Sequence, residues 1–284
     1  MTFLDQTRPW ESPGSPTLRG RRADNGQPTI HFLSGNGFCG GVYWPFLKRF
    51  LPEFSLFLHD IEGHGESDAP PKFSGTKKLA LRTAQVIEEQ GLKRGMIGMG
   101  HSRGGAMTLK VAADNPGLFK ALVLLDPIIL PTHLWLGFRG ASLFGMNTMA
   151  KGARRRRVAW PSRDDAFGHL RGRGIFRGWQ DEAMACFVDY AMKPHNGEWV
   201  LRCPPELEAQ IYEHPVYPWP SFRKVKVPIL FLHGANSYGF FPGAARLAGQ
   251  YPKVTVETSP GHHCFMLEHP EAAHAKVRQF LAGT

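Results

Sequence analysis

Apolar runs and helix-period stripes alternate along most of the chain. Thr29–Leu33, Phe54–Asp60, Gly95–Met99, Ala121–Leu125, Pro228–Leu232 and Val254–Glu257 read as short, largely apolar strands. Between them, helices are expected over about Val42–Phe50, from Thr76 to a stop at Gly91, after Ser102 to a stop before Pro116, over Ala244–Gln250 and over Glu271–Leu281. In the second of these, Leu79, Thr83, Val86 and Ile87 fall on one face, and Thr76 stands where an N-cap belongs. Residues 1–28 are broken by Pro9, Pro13 and Pro16, with room for one or two edge strands around Thr17–Ala23.

Apolar strands separated by amphipathic helices predict a mostly parallel central sheet with helices on both faces, an α/β fold. The alternation lapses between about Pro127 and Phe222, where aromatic and arginine-rich helical stretches take over. That interruption lies between two sheet strands, so it predicts a mainly helical cap of residues 128–222, inserted into a core of 1–127 and 223–284 after the sixth strand. Sites in such sheets gather at the carboxyl ends of the strands. The candidate segments are therefore Ser34–Gly37, Asp60–Ser67, Ser102, Asp126, Gly234–Tyr238 and Gly261–His263.

Composition adjusts this picture in two respects. A hydrophobic fraction of 42% and a charged fraction of 20% suit a globular chain, and no apolar run is long enough for a membrane span. The first residues lack the basic-then-apolar pattern of a secretory leader, and Cys39, Cys186, Cys203 and Cys264 show no CxxC spacing. Both fit a reducing, cytoplasmic setting. The net charge of +10 is unevenly spread: between Arg139 and Arg177 stand ten Lys/Arg against only Asp164 and Asp165. Within it, the run Arg154–Arg157 reads as a solvated face of a cap helix; a role for it in binding acidic headgroups or anionic substrates is the alternative, and nucleic-acid binding through the basic insertion ranks low. The aromatic residues of the same segment suit contact with the core and an apolar pocket for a small-molecule substrate with an acyl or alkyl part.

The chemistry concentrates in Gly100-His101-Ser102-Arg103-Gly104, where a strand meets a small-residue helix start. A serine on so sharp a turn needs neighbours without bulk, and a serine hydroxyl becomes a nucleophile only beside a base. His263, in the loop after the last strand, is the best-placed base. No His or carboxylate spacing suits a metal, and no cofactor is expected. His64, between Gly63 and Gly65, is read as structural; His31, His59, His101 and His233 are read as packed.

Together the Leu33-Ser34-Gly35-Asn36-Gly37 loop, Asp60-Ile61-Glu62-Gly63-His64-Gly65-Glu66-Ser67, the Gly-His-Ser-Arg-Gly turn and the terminal Gly-x-His…Leu-Glu-x-Pro occur in an order that resembles the α/β-hydrolases over nearly the whole chain. The resemblance implies a nucleophile at Ser102, a base at His263 rather than His262, and an oxyanion hole from the backbone N–H groups of Asn36 and Arg103. The departure lies in the acid. The strand ending Leu232-His233-Gly234 continues Ala235-Asn236-Ser237-Tyr238, with no carboxylate before Glu257, whereas Asp126 ends the preceding sheet strand. Some relatives take their acid from that strand end, and the triad expected here is Ser102, His263 and Asp126. The implied activity is hydrolysis of a carboxylic ester or related acyl compound through an acyl-enzyme. A catalytically weakened scaffold that binds a small molecule and a cofactor-free C–C bond hydrolase are the alternatives.

Overall fold

A computed structural model describes residues 2–284, so residue 1 of the expected core lies outside the described residues. Among the described residues, eleven strands follow in chain order: β1 (Arg8–Ser12), β2 (Leu18–Ala23), β3 (Thr29–Leu33), β4 (Ser55–Asp60), β5 (Met96–His101), β6 (Phe119–Leu125), β7 (Ala159–Trp160), β8 (Met192–His195), β9 (Glu198–Leu201), β10 (Ile229–Gly234) and β11 (Val254–Ser259). Eight of them form one sheet in the order β1-β2-β4-β3-β5-β6-β10-β11. Pairing is parallel from β4 through β11 and antiparallel only at β1–β2 and β2–β4.

The inner strands β3, β4, β5, β6 and β10 read as largely apolar because both faces of the sheet are covered there, whereas the edge strands β1, β2 and β11 are partly exposed. Ala121, Val123 and Leu125 of β6, with Leu230 and Leu232 of β10, join one core beneath Trp44, Phe46, Phe50 and Val277. Leu122 and Leu124, with Ile229 and Phe231, join the other, beneath Leu79, Met107 and Ala244. Neighbouring residues of one strand thus serve opposite cores, as the pleat requires. The covering helices include α1 (Thr76–Glu89), α2 (Arg103–Asp114), α6 (Phe241–Ala248) and α7 (Pro270–Ala282).

Three expectations need correction. Residues 8–12 do form an edge strand despite Pro9, which sits on the outermost strand where few ladder bonds are lost. The helix expected over 42–50 is instead a 3₁₀ turn, a single α-turn at Trp44–Leu47 and a second 3₁₀ turn. Thr76 does not cap α1: Gly75, at φ 90°, is the capping residue, and the Thr76 hydroxyl bonds the His214 carbonyl and the Arg103 guanidinium. Between β6 and β10 lie α3 (Thr132–Leu143), α4 (Thr148–Arg155), α5 (Pro205–Glu213), several shorter helical turns, and a small sheet of order β7-β9-β8 that the sequence pattern did not suggest. Among the described residues, no helix is long and apolar enough to cross a membrane.

The interior holds an unusual number of imidazoles. His31 and His59 meet at 3.2 Å across β3 and β4, and each leaves one ring nitrogen unpartnered. Burial pushes His31 down to about 3 and His64 to about 4, and pushes His59 and His101 well below the usual range. All four therefore stay neutral when folded but charge near pH 6.5 when unfolded. Asp60 acts oppositely: burial raises its carboxyl to about 7, so it is protonated in the folded chain and ionised in the unfolded chain near pH 5. The histidine contribution is intact above pH 6.5 and is lost as pH falls toward 4; the Asp60 contribution is lost as pH rises from about 4 to about 7. Unfolding near pH 5 thus takes up protons on balance, so stability falls as pH is lowered from 7 to 5. Urea midpoints between pH 7 and pH 5 measure this; equal midpoints would contradict it.

Candidate active site

β5 delivers Ser102 at its carboxyl end with φ 55° and ψ −121°, and α2 begins at the next residue. A serine in this backbone region costs about 1–3 kcal/mol, which the surroundings must impose. The glycines explain how they do so. A Cβ at Gly100 would lie 2.5 Å from the Gly104 carbonyl oxygen, and one at Gly104 would lie 2.2 Å from the carbonyl oxygen of Leu33. Only glycine lets the elbow close against β3. The Ser102 amide donates to the Leu125 carbonyl at 2.9 Å, tying the turn to the end of β6.

β6 delivers Asp126, also at positive φ (43°) and wholly buried. Its Oδ1 accepts the Gly234 amide at 2.9 Å, and its Oδ2 accepts the hydroxyl of Ser237. The same Oδ2 lies 2.5 Å from Nδ1 of His263, whose Nε2 lies 3.0 Å from the Ser102 hydroxyl oxygen. The structure thus brings Ser102, His263 and Asp126 into one hydrogen-bonded line across three strand ends. With Asp126 accepting from Nδ1–H, the Nε2 lone pair faces the serine hydroxyl. Ser102 and His263 are 9% and 7% exposed, so little bulk water reaches the pair. His262 points elsewhere: its ring and amide bond Glu268, the carboxylate of the Leu-Glu-x-Pro motif.

The two amides expected at an oxyanion hole have different settings. Arg103 opens α2, so its N–H has no partner within the helix. Its side chain turns away, donating to the carbonyl of His214 and to the Thr76 hydroxyl, and it clasps the start of α1 to the end of α5. Burial lowers that guanidinium to about 10. Asn36 sits in a loop pinned on both sides: the Gly35 amide donates to the Tyr43 hydroxyl at 3.1 Å, and the Gly37 amide donates to Nε2 of His64 at 2.8 Å. Its side-chain amide donates to the Glu208 carbonyl of α5 at 3.0 Å.

Two histidines do more than their sequence positions suggest. His64 does hold its own turn, donating from Nδ1 to the Glu62 carbonyl, but it also fixes the Asn36 loop. Being held neutral by burial is what lets its Nε2 accept there. His101 is more than packing. Tyr43, accepting from Gly35, donates its hydroxyl to His101 Nδ1 at 2.7 Å, which leaves His101 Nε2–H for the His263 carbonyl at 2.9 Å. One chain of hydrogen bonds therefore joins the Asn36 loop to the backbone of His263. Glu208 and Arg156, paired at 2.7 Å with Glu208 against Gly37, were also missed. Only the elbow position of His101 carried a signal; a glutamate on an amphipathic helix carries none.

The match to the alpha/beta hydrolase family model covers residues 32–276. The chain is 36% identical to a lipase, LipV, of Mycobacterium tuberculosis over 102 residues, 36% of each chain. It is 27% identical to the pimeloyl-[acyl-carrier protein] methyl ester esterase of Proteus mirabilis over 122 residues, 42% of this chain and 45% of that one. The chain therefore spans less than half the length of these relatives. Among solved structures, E-2-(acetamidomethylene)succinate hydrolase superposes with a TM-score of 0.81 at 21% identity, covering 97% of this chain and 99% of its own, a likeness of fold. A family match over most of the length, on a sheet of this order with a serine at the strand–helix elbow, places the chain in the alpha/beta hydrolase family.

Proposed function

We propose that this hydrolase cleaves a carboxylic ester or related acyl compound, with Ser102 as nucleophile, His263 as general base and acid, and Asp126 as the orienting carboxylate. The observation that carries the reading is the line Ser102 Oγ to His263 Nε2 at 3.0 Å and His263 Nδ1 to Asp126 Oδ2 at 2.5 Å. His263 takes the Ser102 proton as Oγ attacks the carbonyl carbon, and the resulting imidazolium is held by Asp126. The oxyanion is received by the amides of Asn36 and Arg103. His263 then gives its proton to the leaving alcohol, and activates a water that releases the acid from Ser102.

Residues 128–222 act as a cap over this site. From α5, Glu208 meets the Asn36 loop, and Tyr238, in the segment after β10, brings its ring to 4.8 Å from that of His263. The names of the lipase and methyl ester esterase relatives agree with ester chemistry. The acyl or alkyl pocket is tested with p-nitrophenyl esters of increasing chain length together with a fluorophosphonate probe. Turnover of at least one ester, and covalent labelling of Ser102 located by peptide mass, are the expected results. A folded protein that binds these esters but neither turns them over nor labels is a binding scaffold, which would overturn the proposal.

A further inference from the structure

Helix α3, Thr-His-Leu-Trp-Leu-Gly-Phe-Arg-Gly-Ala-Ser-Leu, is mostly uncharged and rich in large apolar side chains, yet it buries none of its residues. Leu134 and Leu136 in its first half are 42% and 59% exposed, and the most exposed apolar side chains stand at its far end. Leu143 is 70% and Phe144 78% exposed, and Met146 and Met149 continue the patch around the turn into α4. Exposed apolar clusters of this kind mark contact surfaces.

The charges beside the patch say what it contacts. The inward face of α4 is settled: Ala150 and Ala153 pack on Ala209 of α5, and Arg154 pairs with Glu206 and Glu213. The outward face presents Lys151 and Arg155, both exposed and neither ion-paired among the described residues. From Pro127 to Arg163 the chain has seven Lys/Arg and no Asp or Glu. The nearest acids, Glu206 and Glu213 of α5, are already engaged by Arg154, so a second copy of this face would bring Lys151 and Arg155 against like charges. Apolar side chains at a tip, backed by cations that hold no ion pair among the described residues, instead match the acyl boundary and phosphates of an anionic bilayer.

We propose that the α3–α4 tip docks the protein on an anionic lipid surface, with Leu143, Phe144 and Met146 entering the headgroup region and Lys151 and Arg155 lying at phosphate level. Docking is independent of the Ser102 chemistry, since none of these side chains belongs to that site.

The test is co-sedimentation of the full chain with vesicles of phosphatidylcholine alone or mixed with phosphatidylglycerol. Wild type binds the mixed vesicles, loses binding as salt rises, and binds phosphatidylcholine weakly. Lys151→Gln with Arg155→Gln weakens binding roughly twentyfold, about fivefold for each cation removed. Leu143→Ser with Phe144→Ser weakens it at least as much, whereas Leu81→Ser, which alters an exposed leucine on α1, does not. Ser102→Ala binds as wild type does, so loss of ester turnover and loss of docking are read separately. Thermal unfolding checks that each variant is folded, and the single Phe144→Ser replaces the double variant if that one is not. Equal binding by wild type and both patch variants would overturn the proposal. So would equal binding to both vesicle types, or a dimer in sedimentation that Phe144→Ser dissociates with no vesicle binding.

Discussion

Ser102→Ala is expected to lower kcat/KM on the best ester by about 10⁵-fold and to abolish fluorophosphonate labelling, while leaving the fold intact. Losing the nucleophile leaves His263 and the oxyanion amides with only water to activate, and catalysis by such residual machinery is small. The backbone adds a second, independent expectation. Because φ at residue 102 is 55°, alanine inherits the strain that serine bears, and its stability stays within about 1 kcal/mol of wild type. Glycine does not inherit it. Ser102→Gly is expected to be equally inactive but about 1 kcal/mol more stable, the sign of a residue held in place for function against its conformational preference. Urea unfolding of the two variants beside wild type measures the difference. An inactive Ser102→Ala with an unstable, partly unfolded chain would point to a structural role instead; residual turnover within tenfold of wild type would remove Ser102 from the mechanism.

Much of this candidate site was legible in the sequence because its chemistry is tied to strand ends. The apolar runs locate β3, β5, β6, β10 and β11, and the residues just after each run are few enough to weigh one by one. Gly100 and Gly104 flag the elbow because no other residue fits where their α-carbons pass the neighbouring backbone. Two kinds of feature were not legible. Local helix geometry at 42–50 depends on packing: Trp44, Phe46 and Phe50 are buried wherever the turn places them, and the same apolar spacing serves a broken helix. Contacts between distant segments leave no local trace either. The chain from Gly35 through Tyr43 and His101 to His263 includes a bond between residues 162 positions apart, and the Glu208–Arg156 pair at Gly37 brings two segments from between β6 and β10 to the loop after β3. His31 and His59 show the same limit. Each reads as one polar residue in a strand, and only the register of β3 on β4 brings them together.

Asp126→Asn is expected to lower kcat by about 10⁴-fold with little change in KM, and the reason lies in how its three bonds are distributed. Asparagine is nearly isosteric and tolerates φ 43°, so the backbone turn survives. Its amide cannot reproduce the carboxylate. If its oxygen keeps the Gly234 amide, its NH₂ faces His263 Nδ1, which must then accept; the ring proton moves to Nε2 and points at Ser102. In that tautomer His263 cannot take the serine proton. If the amide flips, its NH₂ meets the Gly234 N–H, donor against donor, at a wholly buried position. Ser237 supplies the comparison. It stands at the place where many relatives have their acid, yet here its hydroxyl only donates to Asp126 Oδ2. Ser237→Ala removes that donor and leaves both other bonds to Asp126 in place, so its expected loss is no more than about tenfold. Steady-state kinetics of the two variants on one ester decide between the seats. An Asp126→Asn enzyme within tenfold of wild type, or a Ser237→Ala enzyme as impaired as Asp126→Asn, would mean that the carboxylate at the end of β6 does not orient His263.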